Sequence, residues 1–291
     1  MWVVTEDYKS GTSSSVLDSG YRQVILVSKE NYDSVYSLQG EVLFLGHDFL
    51  DYLWNTEDKL KRLSERNGRN YLYCFERIRC FVPQWRDRSL ASLERARRVM
   101  QAIFCTDEED AKILGLEWLP QWGSDHFRRY AHKLPSIPKI LFHGQSGSVG
   151  YETRDALIEA IMRSGTLSDL FVIESKGRNL SWEEYVDHVS SYAGVLAPLG
   201  NFFGFNTRTF ETINSNRILL QQVTNQTGWH NRLISNYPRK IFFQSASDLE
   251  NCVSNIKEMV SRVMENPFLD FTNIHSFENR LSYVHTIVSK A

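Results

Sequence analysis

The sequence predicts an α/β protein with two domains, each built around a mostly parallel β-sheet. Short apolar runs rich in β-branched and aromatic residues alternate with helical stretches, which is typical of a parallel sheet with crossover helices. A proline-containing segment at 132–139 interrupts this alternation, and the same pattern then starts again. The length of 291 residues suffices for two ordinary domains. Two Rossmann-like halves are the simplest account of these observations.

The first half contains six candidate strands and three candidate helices. We predict strands at the apolar β-rich runs, which are Trp2–Thr5, Val24–Ser28, Val42–Gly46, Tyr71–Phe75, Ala102–Thr106 and Trp118–Pro120. Amphipathic spacing predicts the helices Thr56–Arg66 and Leu90–Met100. An acidic helix, Asp107–Leu114, is expected to follow a cap at Thr106.

The domain boundary is predicted between His132 and Lys139, because two prolines in this segment favour an extended linker. We therefore expect domains at residues 1–134 and 135–275, and a C-terminal helix within 276–291 that packs back on the first domain. The second-half strands are predicted at Lys139–His143, Leu170–Glu174, Gly194–Pro198, Ile218–Val223 and Lys240–Phe243. Further helices are expected at Thr153–Ser164, Ser181–Val189, Ala246–Glu265 and Ser276–Ser289.

Composition excludes several classes of protein. The chain is 42% apolar and 23% charged, and no apolar run approaches the roughly 18 residues of a membrane-spanning helix. The first residues lack a basic segment followed by an apolar one, so no secretory signal is predicted. The four cysteines show no zinc-ligand spacing. We expect them to be reduced thiols of a cytoplasmic protein, in the host cytoplasm if a phage encodes it.

The stretch from Asn206 to Leu220 carries the strongest chemical signal. Arg208 and Glu211 are three residues apart at the start of a predicted helix, so both side chains share one face. An arginine fork suits a diphosphate, a glutamate can accept both hydroxyls of a ribose, and the helix N-terminus favours an anion. These are the requirements of a nucleotide-sugar site. The alternative is a solvated ion pair at a helix start.

A second candidate for phosphate binding follows the first strand of the second half. Gly144, Ser146 and Gly147 lie in a loop between that strand and a helix, where backbone N–H groups can face a phosphate. No G-K-[ST] follows, so the loop is not a lysine-bearing P-loop. Arg154 lies in the first helical turn, where a cation is unfavourable unless an anion is near. An ordinary flexible loop is the alternative.

Carboxylates and histidines at strand ends are candidates for acid–base chemistry. Glu76 follows a predicted strand, and the carboxyl edge of an α/β sheet faces the ligand crevice. We predict that Glu76 is a general base, although a salt bridge to Arg77 or Arg79 is the alternative. His47 and Asp48 form a second candidate pair with the same placement, for which a structural role is the alternative.

These residues resemble the motifs of GT-B glycosyltransferases, and most closely those of phage DNA β-glucosyltransferases and spore-maturation-type enzymes. The matching stretches are Thr207–Leu220, Gly144–Arg154, Tyr71–Arg79 and Ala102–Phe127. The resemblance implies two Rossmann-like domains facing across a cleft, the first binding the acceptor and the second a UDP-sugar. The chain departs from the family pattern at Asn214-Ser-Asn216, where A-x-G is usual, and its glycine loop has one arginine where the phage enzyme has two.

The resemblance also implies roles for individual residues. Arg208 and Arg154 would contact the diphosphate, with the Gly144–Gly147 loop beside it, and Glu211 would hold the ribose. Glu76 would deprotonate the acceptor hydroxyl in a direct displacement, while the two arginines stabilise the leaving diphosphate. No tightly bound cofactor is expected. A divalent metal is compatible with such chemistry, but no residue pattern indicates one.

The acceptor is predicted from a basic segment. Residues 57–98 hold twelve Lys or Arg against six Asp or Glu. Within it, Arg77, Arg79, Arg86 and Arg88 flank Glu76, and aromatic residues are interleaved at Tyr71, Tyr73, Phe81 and Trp85. This combination suits a DNA duplex whose target base is unstacked. We therefore expect these arginines, with His47 and Asp48, to bind a 5-hydroxymethylpyrimidine in DNA.

Two alternatives to a DNA acceptor stay open. The acceptor could be a glycan, a protein or a small molecule, as in the spore-maturation-type relatives. The chain could also be a non-catalytic module that binds a nucleotide. The presence of Glu76, Arg154, Arg208 and Glu211 together argues against the second alternative, because a binding module has no use for the base.

Overall fold

The computed structural model describes residues 1–6, 11–46, 53–75, 78–79, 82–144, 147, 151–175, 180–199, 206–224, 230–269, 271 and 275–289. The chain divides into two units. Unit 1 comprises Met1–Gln121 with Glu278–Ala291, and unit 2 comprises Trp122–Phe277. The division therefore falls at Gln121, N-terminal to the proline-containing segment in which the boundary was predicted.

Unit 1 contains a six-stranded sheet in which every neighbouring pair is parallel. Its strands are β1 (Trp2–Glu6), β2 (Val24–Val27), β3 (Val42–Leu45), β4 (Asn70–Cys74), β5 (Ala102–Cys105) and β6 (Glu117–Trp118). They lie in the order β2-β1-β3-β4-β5-β6. All six predicted strands are confirmed, with ends shifted by one or two residues.

The helices of unit 1 differ from the prediction in four places. They are α1 (Gly11–Asp18), a 3-10 helix (Tyr32–Ser37), α2 (Glu57–Ser64), α3 (Pro83–Arg97) and α4 (Glu108–Leu114). The first two were not predicted. The helix predicted from Leu90 begins at Pro83, because proline is well accommodated in the first turn. The predicted cap Thr106 is wrong, since the side chain of Asp107 accepts the Asp110 N–H at the start of α4.

The core of unit 1 includes the whole of β4. All five residues of this strand are buried, and Tyr73 is 0% exposed. Tyr71 is likewise buried, with its hydroxyl donating to Glu41 at 3.3 Å. The expectation that these two tyrosines are among the aromatic residues that hold an unstacked base is therefore wrong, because both rings are packed into the protein. Trp85 on α3, by contrast, is exposed.

Unit 2 contains a five-stranded sheet, again with every neighbouring pair parallel. Its strands are β7 (Ile137–His143), β8 (Phe171–Glu174), β9 (Tyr192–Ala197), β10 (Ile218–Gln222) and β11 (Lys240–Phe243). The order is β11-β10-β9-β7-β8, so the chain reverses direction across the sheet between β7 and β9. Parallel sheets bind ligands outside the carboxyl ends of the strands at such a switch point.

The helices around this sheet are close to those predicted. They are a 3-10 helix (Asp125–Tyr130), α5 (Glu152–Arg163), α6 (Trp182–Ser190), α7 (Thr207–Asn214), α8 (His230–Leu233), α9 (Ala246–Asn251) and α10 (Val253–Glu265). The capping box predicted at Ser181 and Glu184 is confirmed. The single helix predicted from Ala246 is instead two helices, which meet at Cys252. The last helix, α11 (Phe277–Val288), groups from Glu278 onward with unit 1.

Within unit 2, side-chain amides at the end of α7 bind the backbone of residues 124–131. Asn214 at the end of α7 donates to the carbonyl of Ser124 at 2.7 Å, and Asn216 donates to the carbonyl of Ala131 at 3.1 Å. Asn216 has a φ of 55°, the left-handed conformation for which glycine and asparagine are the usual choices. Asn216 thus forms a turn that a glycine would also allow, and the side chains of Asn214 and Asn216 each make a hydrogen bond within unit 2.

None of the helices in the described part of the chain has the length and apolar content that a bilayer-crossing segment needs.

Candidate functional site

A buried polar network fixes the start of α7 beside the carboxyl ends of β9 and β10. Asn206 caps the helix by accepting the Thr209 N–H at 3.4 Å. The Thr209 hydroxyl donates to the side chain of Gln221 at 2.7 Å, and Gln221 donates in turn to the carbonyl of Ala197 at 3.1 Å. The predicted helix start is therefore confirmed, and it lies at the switch point of the unit 2 sheet.

Arg208 extends from this helix start to the loop that follows β7. A Cβ atom on Gly144 would lie 3.1 Å from Nη1 of Arg208 and 3.6 Å from Nη2. The guanidinium therefore lies against the backbone of Gly144, in a space that a larger residue would partly fill. The Nε atom of Arg208 is buried and finds no hydrogen-bond partner among the described residues. A buried donor in this state favours an acceptor from a ligand.

Arg154 is a second arginine in the same place, and unlike Arg208 its whole side chain is buried. It lies in the first turn of α5, is 8% exposed, and its guanidinium stands 4.3 Å from the centre of the Tyr151 ring. Burial, followed by the positive charge of Arg208, lowers the pKa of Arg154 to about 10. Two like charges brought together at a helix N-terminus repel each other unless an anion lies between them. Arg154 and Arg208 thus lie close together, and their shared role in phosphate binding stays a prediction.

Glu211 lies one helical turn beyond Arg208. It is 2% exposed and accepts a hydrogen bond from the hydroxyl of Tyr185 at 3.2 Å. Tyr185 is packed between Trp182 and Phe127, with ring centres 5.4 and 6.1 Å away. Burial first, and then the charge of Glu211, raises the pKa of Tyr185 above its usual range. Tyr185 therefore keeps its proton and holds the carboxylate, a role that the sequence did not indicate.

The glycine loop is tied to the start of α5. The N–H of Gly147 donates to Oδ2 of Asp155 at 2.8 Å, and Gly147 has a φ of 75°. The carboxylate of Asp155 thus binds the loop backbone, and its negative charge also acts to raise the pKa of Arg154, against the larger effects of burial and of Arg208. Gly144 and Gly147 thus lie at the predicted cradle, while Ser146 lies outside the described residues.

Two histidines and a glutamate lie close together beside Tyr185 and Gly144. Nδ1 of His143 lies 3.0 Å from Oε2 of Glu174, and Nε2 of His188 lies 2.8 Å from the same oxygen. The ring of His143 is 5.5 Å from that of Tyr185. Burial, partly offset by Glu174, lowers the pKa of His143, and the Arg208 charge adds to this lowering. The sequence predicted no such cluster, although the parallel register pairs His143 with Glu174 at two adjacent strand ends.

The predicted residues of unit 1 are less completely described. Glu76, Arg77, His47 and Asp48 lie outside the described residues, as does Phe81. Of the remaining acceptor-binding candidates, Arg86 lies 3.6 Å from Asp87 and Arg88 is exposed on the same helix, α3.

Several other basic residues of unit 1 have structural partners. The backbone N–H of Arg79 donates to the buried carboxylate of Asp110 at 2.8 Å, and its guanidinium lies 3.8 Å from the same group. Arg66 is buried and donates to the carbonyls of Leu38, Gly40 and Arg69. Part of the basic segment is therefore used within unit 1, while on α3 Arg88 is exposed and Arg86 is partly exposed.

No protein-family model matches the sequence, and no curated protein matches it. Solved structures do resemble the fold. The HepE protein of Anabaena, solved with UDP, aligns over 99% of this chain and 100% of its own at 9% identity, with a TM-score of 0.57. An α-glucosyltransferase solved with UDP and a 13-mer DNA aligns over 97% of this chain and 93% of its own at 11% identity, with a TM-score of 0.50.

The chain has the GT-B fold. The BGT enzyme of T4 phage, solved with UDP-glucose, also aligns over 99% of this chain and 98% of its own, at 13% identity, but its TM-score is only 0.48. The assignment of the GT-B fold therefore depends on the first two structures and on the two parallel sheets. It confirms the predicted fold class of two Rossmann-like domains.

Proposed function

We propose that this protein is a glycosyltransferase that transfers a sugar from a UDP-sugar to an acceptor hydroxyl. The observation that carries the proposal is a pair of neighbouring arginines. Arg208 lies against the backbone of Gly144, its charge acts on the buried Arg154, and the buried Glu211 is one turn away. This cluster lies at the carboxyl edge of the unit 2 sheet, where a GT-B fold offers a nucleotide site. UDP is present in the structures of HepE and of the α-glucosyltransferase.

Each donor-site residue has a distinct task in this proposal. The guanidinium of Arg208 donates to the diphosphate, and Arg154 neutralises the charge that grows on it as the sugar leaves. The first turns of α5 and α7 add the positive ends of two helices. Glu211, held by the Tyr185 hydroxyl, accepts hydrogen bonds from the ribose. The diphosphate in turn relieves the repulsion between the two arginines.

The reaction in this proposal is a direct displacement at the anomeric carbon. Glu76 removes the proton of the acceptor hydroxyl, whose oxygen forms the new bond to the sugar while the bond to the diphosphate breaks. Glu76 immediately follows Phe75, whose carbonyl accepts from Gln121 at 2.5 Å just beyond strand β4. The assignment of residues 1–134 to the acceptor and 135–275 to the donor is part of the same proposal.

The acceptor that we propose is a 5-hydroxymethylpyrimidine in DNA. Exposed Trp85, with Arg86 and Arg88, lies on the first turns of α3, within about a dozen residues of Glu76 in the sequence. An exposed indole beside two guanidinium groups suits an unstacked base and its phosphates. The DNA in the similar α-glucosyltransferase structure supports the same direction. Glycans, proteins and small molecules are the acceptor classes to test next if neither DNA supports turnover.

The donor site is tested first by binding. UDP should raise the melting temperature of the full chain, as a ligand of the native state must, and calorimetry should give one site per chain. Wild type and Arg208→Met are compared with Arg232→Met, which changes an exposed arginine of the same unit. Equal UDP binding by all three proteins, or none by the wild type, would refute the donor site.

Turnover is then measured as UDP release from a panel of UDP-sugars, with no acceptor, with ordinary duplex DNA, and with DNA containing 5-hydroxymethylpyrimidine. Release confined to the third arm supports the DNA acceptor. Equal release in all three arms, in a protein that binds UDP, rules that acceptor out. Glu76→Gln should keep UDP binding and lose turnover, whereas Glu65→Gln, at an exposed residue of unit 1, should change neither.

A further inference from the structure

We propose that His143, Glu174 and His188 form a binding site for a divalent transition-metal ion of the Zn²⁺ class. This site is separate from the arginines and Glu211 of the donor site, although it adjoins them. Its three side chains come from the ends of β7 and β8 and from α6. The binding proposal does not depend on the proposed function.

The distances between the three side chains fit a metal centre. Each residue offers one ligand atom, and the three atoms lie within 4.8 Å of one another. Nδ1 of His143 and Nε2 of His188 are 3.0 and 2.8 Å from Oε2 of Glu174. In a tetrahedral zinc site with bonds of about 2.0–2.2 Å, ligand atoms lie about 3.3 Å apart. Outward movement of a few tenths of an ångström would therefore admit the ion.

The types of the three metal-ligand atoms determine which ions the site would prefer. Two imidazole nitrogens and one carboxylate oxygen are the ligands of zinc sites that keep an open fourth position, and they also suit Fe²⁺. Mg²⁺ and Ca²⁺ prefer sites built from oxygen atoms alone. We therefore expect Zn²⁺ or Co²⁺ to bind and Mg²⁺ not to compete.

The three side chains are mostly buried, but each keeps a small area exposed to solvent. The side chains of His143 and Glu174 are each 11% exposed, and that of His188 is 14% exposed. The ring of His188 packs edge-on against Tyr192 at 5.3 Å, and the ring of His143 lies 5.5 Å from Tyr185. Aromatic side chains thus hold both imidazole rings in place, while the small exposed area leaves room for a water or a ligand atom at the open position.

A bound ion would join three elements of unit 2 at the edge of the nucleotide pocket. His143 immediately precedes Gly144, against which Arg208 lies, and α6 carries Tyr185, which holds Glu211. An ion would therefore stabilise unit 2 and add positive charge near the two arginines. If the proposed function is correct, the ion should also tighten UDP binding, but that effect is a second readout.

The test begins with the full chain freed of metal by a chelator. Co²⁺ is titrated and its visible absorption recorded, since a tetrahedral centre gives strong bands, and Zn²⁺ is then used in competition and in calorimetry. We expect one ion per chain and a higher melting temperature with Zn²⁺. Glu174→Gln and His188→Gln should each weaken Zn²⁺ binding by at least tenfold. His126→Gln changes a histidine of the same unit that lies 3.2 Å from Glu183 and should leave Zn²⁺ binding unchanged.

The contrary result is a cluster held by hydrogen bonds alone, with both imidazole N–H groups donating to one carboxylate oxygen. In that case the wild type binds neither Co²⁺ nor Zn²⁺ at this site, or Glu174→Gln and His188→Gln bind them as the wild type does, and the proposal fails. Circular dichroism establishes whether each variant is folded, and His143→Gln provides a third variant if Glu174→Gln is not. Because these titrations contain no nucleotide, their failure is distinct from a failure of the donor site.

Discussion

Arginines that are largely enclosed by the protein occur in two different settings. Arg217 is 0% exposed and donates to the carbonyls of Ser190, Ser215 and Lys133 at 2.9, 3.0 and 2.9 Å. Arg280 similarly donates to the carbonyls of Pro120 and Gln121. Each of these side chains joins backbone segments that are distant in the sequence by donating to their carbonyls, so its role is structural.

Arg154 and Arg208 are surrounded differently. They lie close enough for the charge of Arg208 to lower the pKa of Arg154, each is in the first turn of a helix, and Arg208 lies against the backbone of Gly144. Burial lowers the pKa of Arg154, Arg217 and Arg280 alike to about 10. Neither burial nor a lowered pKa therefore marks the site. The distinguishing feature is that two positively charged side chains lie next to each other. A bound anion would offset their mutual repulsion.

The largest effect is expected at the structural arginine. Arg217→Met should lower the free energy of unfolding by about 3–5 kcal/mol, because each buried carbonyl left without a donor costs about 1–3 kcal/mol. Urea denaturation of the full chain measures this loss. Arg208→Met is the matched substitution in the pocket and should leave the denaturation midpoint within error. Similar losses in both variants would contradict the distinction between the two settings.

The second-largest effect is expected at Arg208, where the substitution should reduce UDP binding and leave the stability unchanged. Arg208→Met should weaken UDP binding by about 10- to 100-fold, in line with charge-assisted hydrogen bonds of about 1.5–3 kcal/mol. Removing one of two neighbouring positive charges should not destabilise the free protein. Calorimetric titration with UDP gives the affinity, and a thermal melt without UDP gives the stability. A variant that melts far below the wild type would show that Arg208 is structural.

The sequence predicted the helix that carries Arg208 and the strand that follows Arg217, but it could not tell the structural arginine from the one proposed to bind a ligand. Arg208, Glu211 and Arg217 all fall in one stretch of sequence, and helical spacing correctly placed the first two on one face. The role of Arg217 depends on carbonyls of Ser190 and Lys133, which reach it only through the tertiary fold. Helical periodicity carries information about neighbours within a turn or two and none about such distant acceptors.

The same limit explains the residues that were missed. Tyr185 reaches Glu211 from 26 residues earlier in the chain, and His188 reaches Glu174 from an adjoining helix. In α3 the periodicity itself was hidden, because Ser89 and Ser92 are buried beside Leu93 and Ala96. Small polar residues on a buried face weaken the apolar pattern, so the helix was predicted too short. Strands were predicted well because their apolar runs are continuous.

A smaller effect tests the support of Glu211. Tyr185→Phe removes only the hydroxyl that donates to the carboxylate, while the ring keeps its packing against Trp182. A hydrogen bond to a charged group contributes about 1.5–3 kcal/mol. Because the carboxylate keeps its place in the buried wall of the site, we expect only part of this energy to be lost from UDP binding, a weakening of about 2- to 10-fold. Tyr130→Phe, a partly exposed tyrosine of the same unit, serves as the control. Unchanged UDP affinity in Tyr185→Phe would mean that Glu211 needs no such support.

The smallest effect concerns the glycine beneath the pocket arginine. In Gly144→Ala the new Cβ would lie 3.1 Å from Nη1 of Arg208, so the guanidinium must shift by a few tenths of an ångström. A shift of this kind costs about 0.5–1.5 kcal/mol, and UDP binding should fall by about 2- to 5-fold. Gly165→Ala, where the added carbon meets nothing within 4 Å, should leave UDP binding unchanged.

The decisive version of this test combines the glycine substitution with Arg208→Met. If Gly144 matters because the guanidinium lies on its backbone, Gly144→Ala should have no further effect once the guanidinium is gone, since contacting residues are not additive. The four UDP affinities from wild type, both single variants and the double variant give this coupling directly. An undiminished loss in the Arg208→Met background would place the effect in the loop itself, and the pocket arginine would then have no specific need for glycine beneath it.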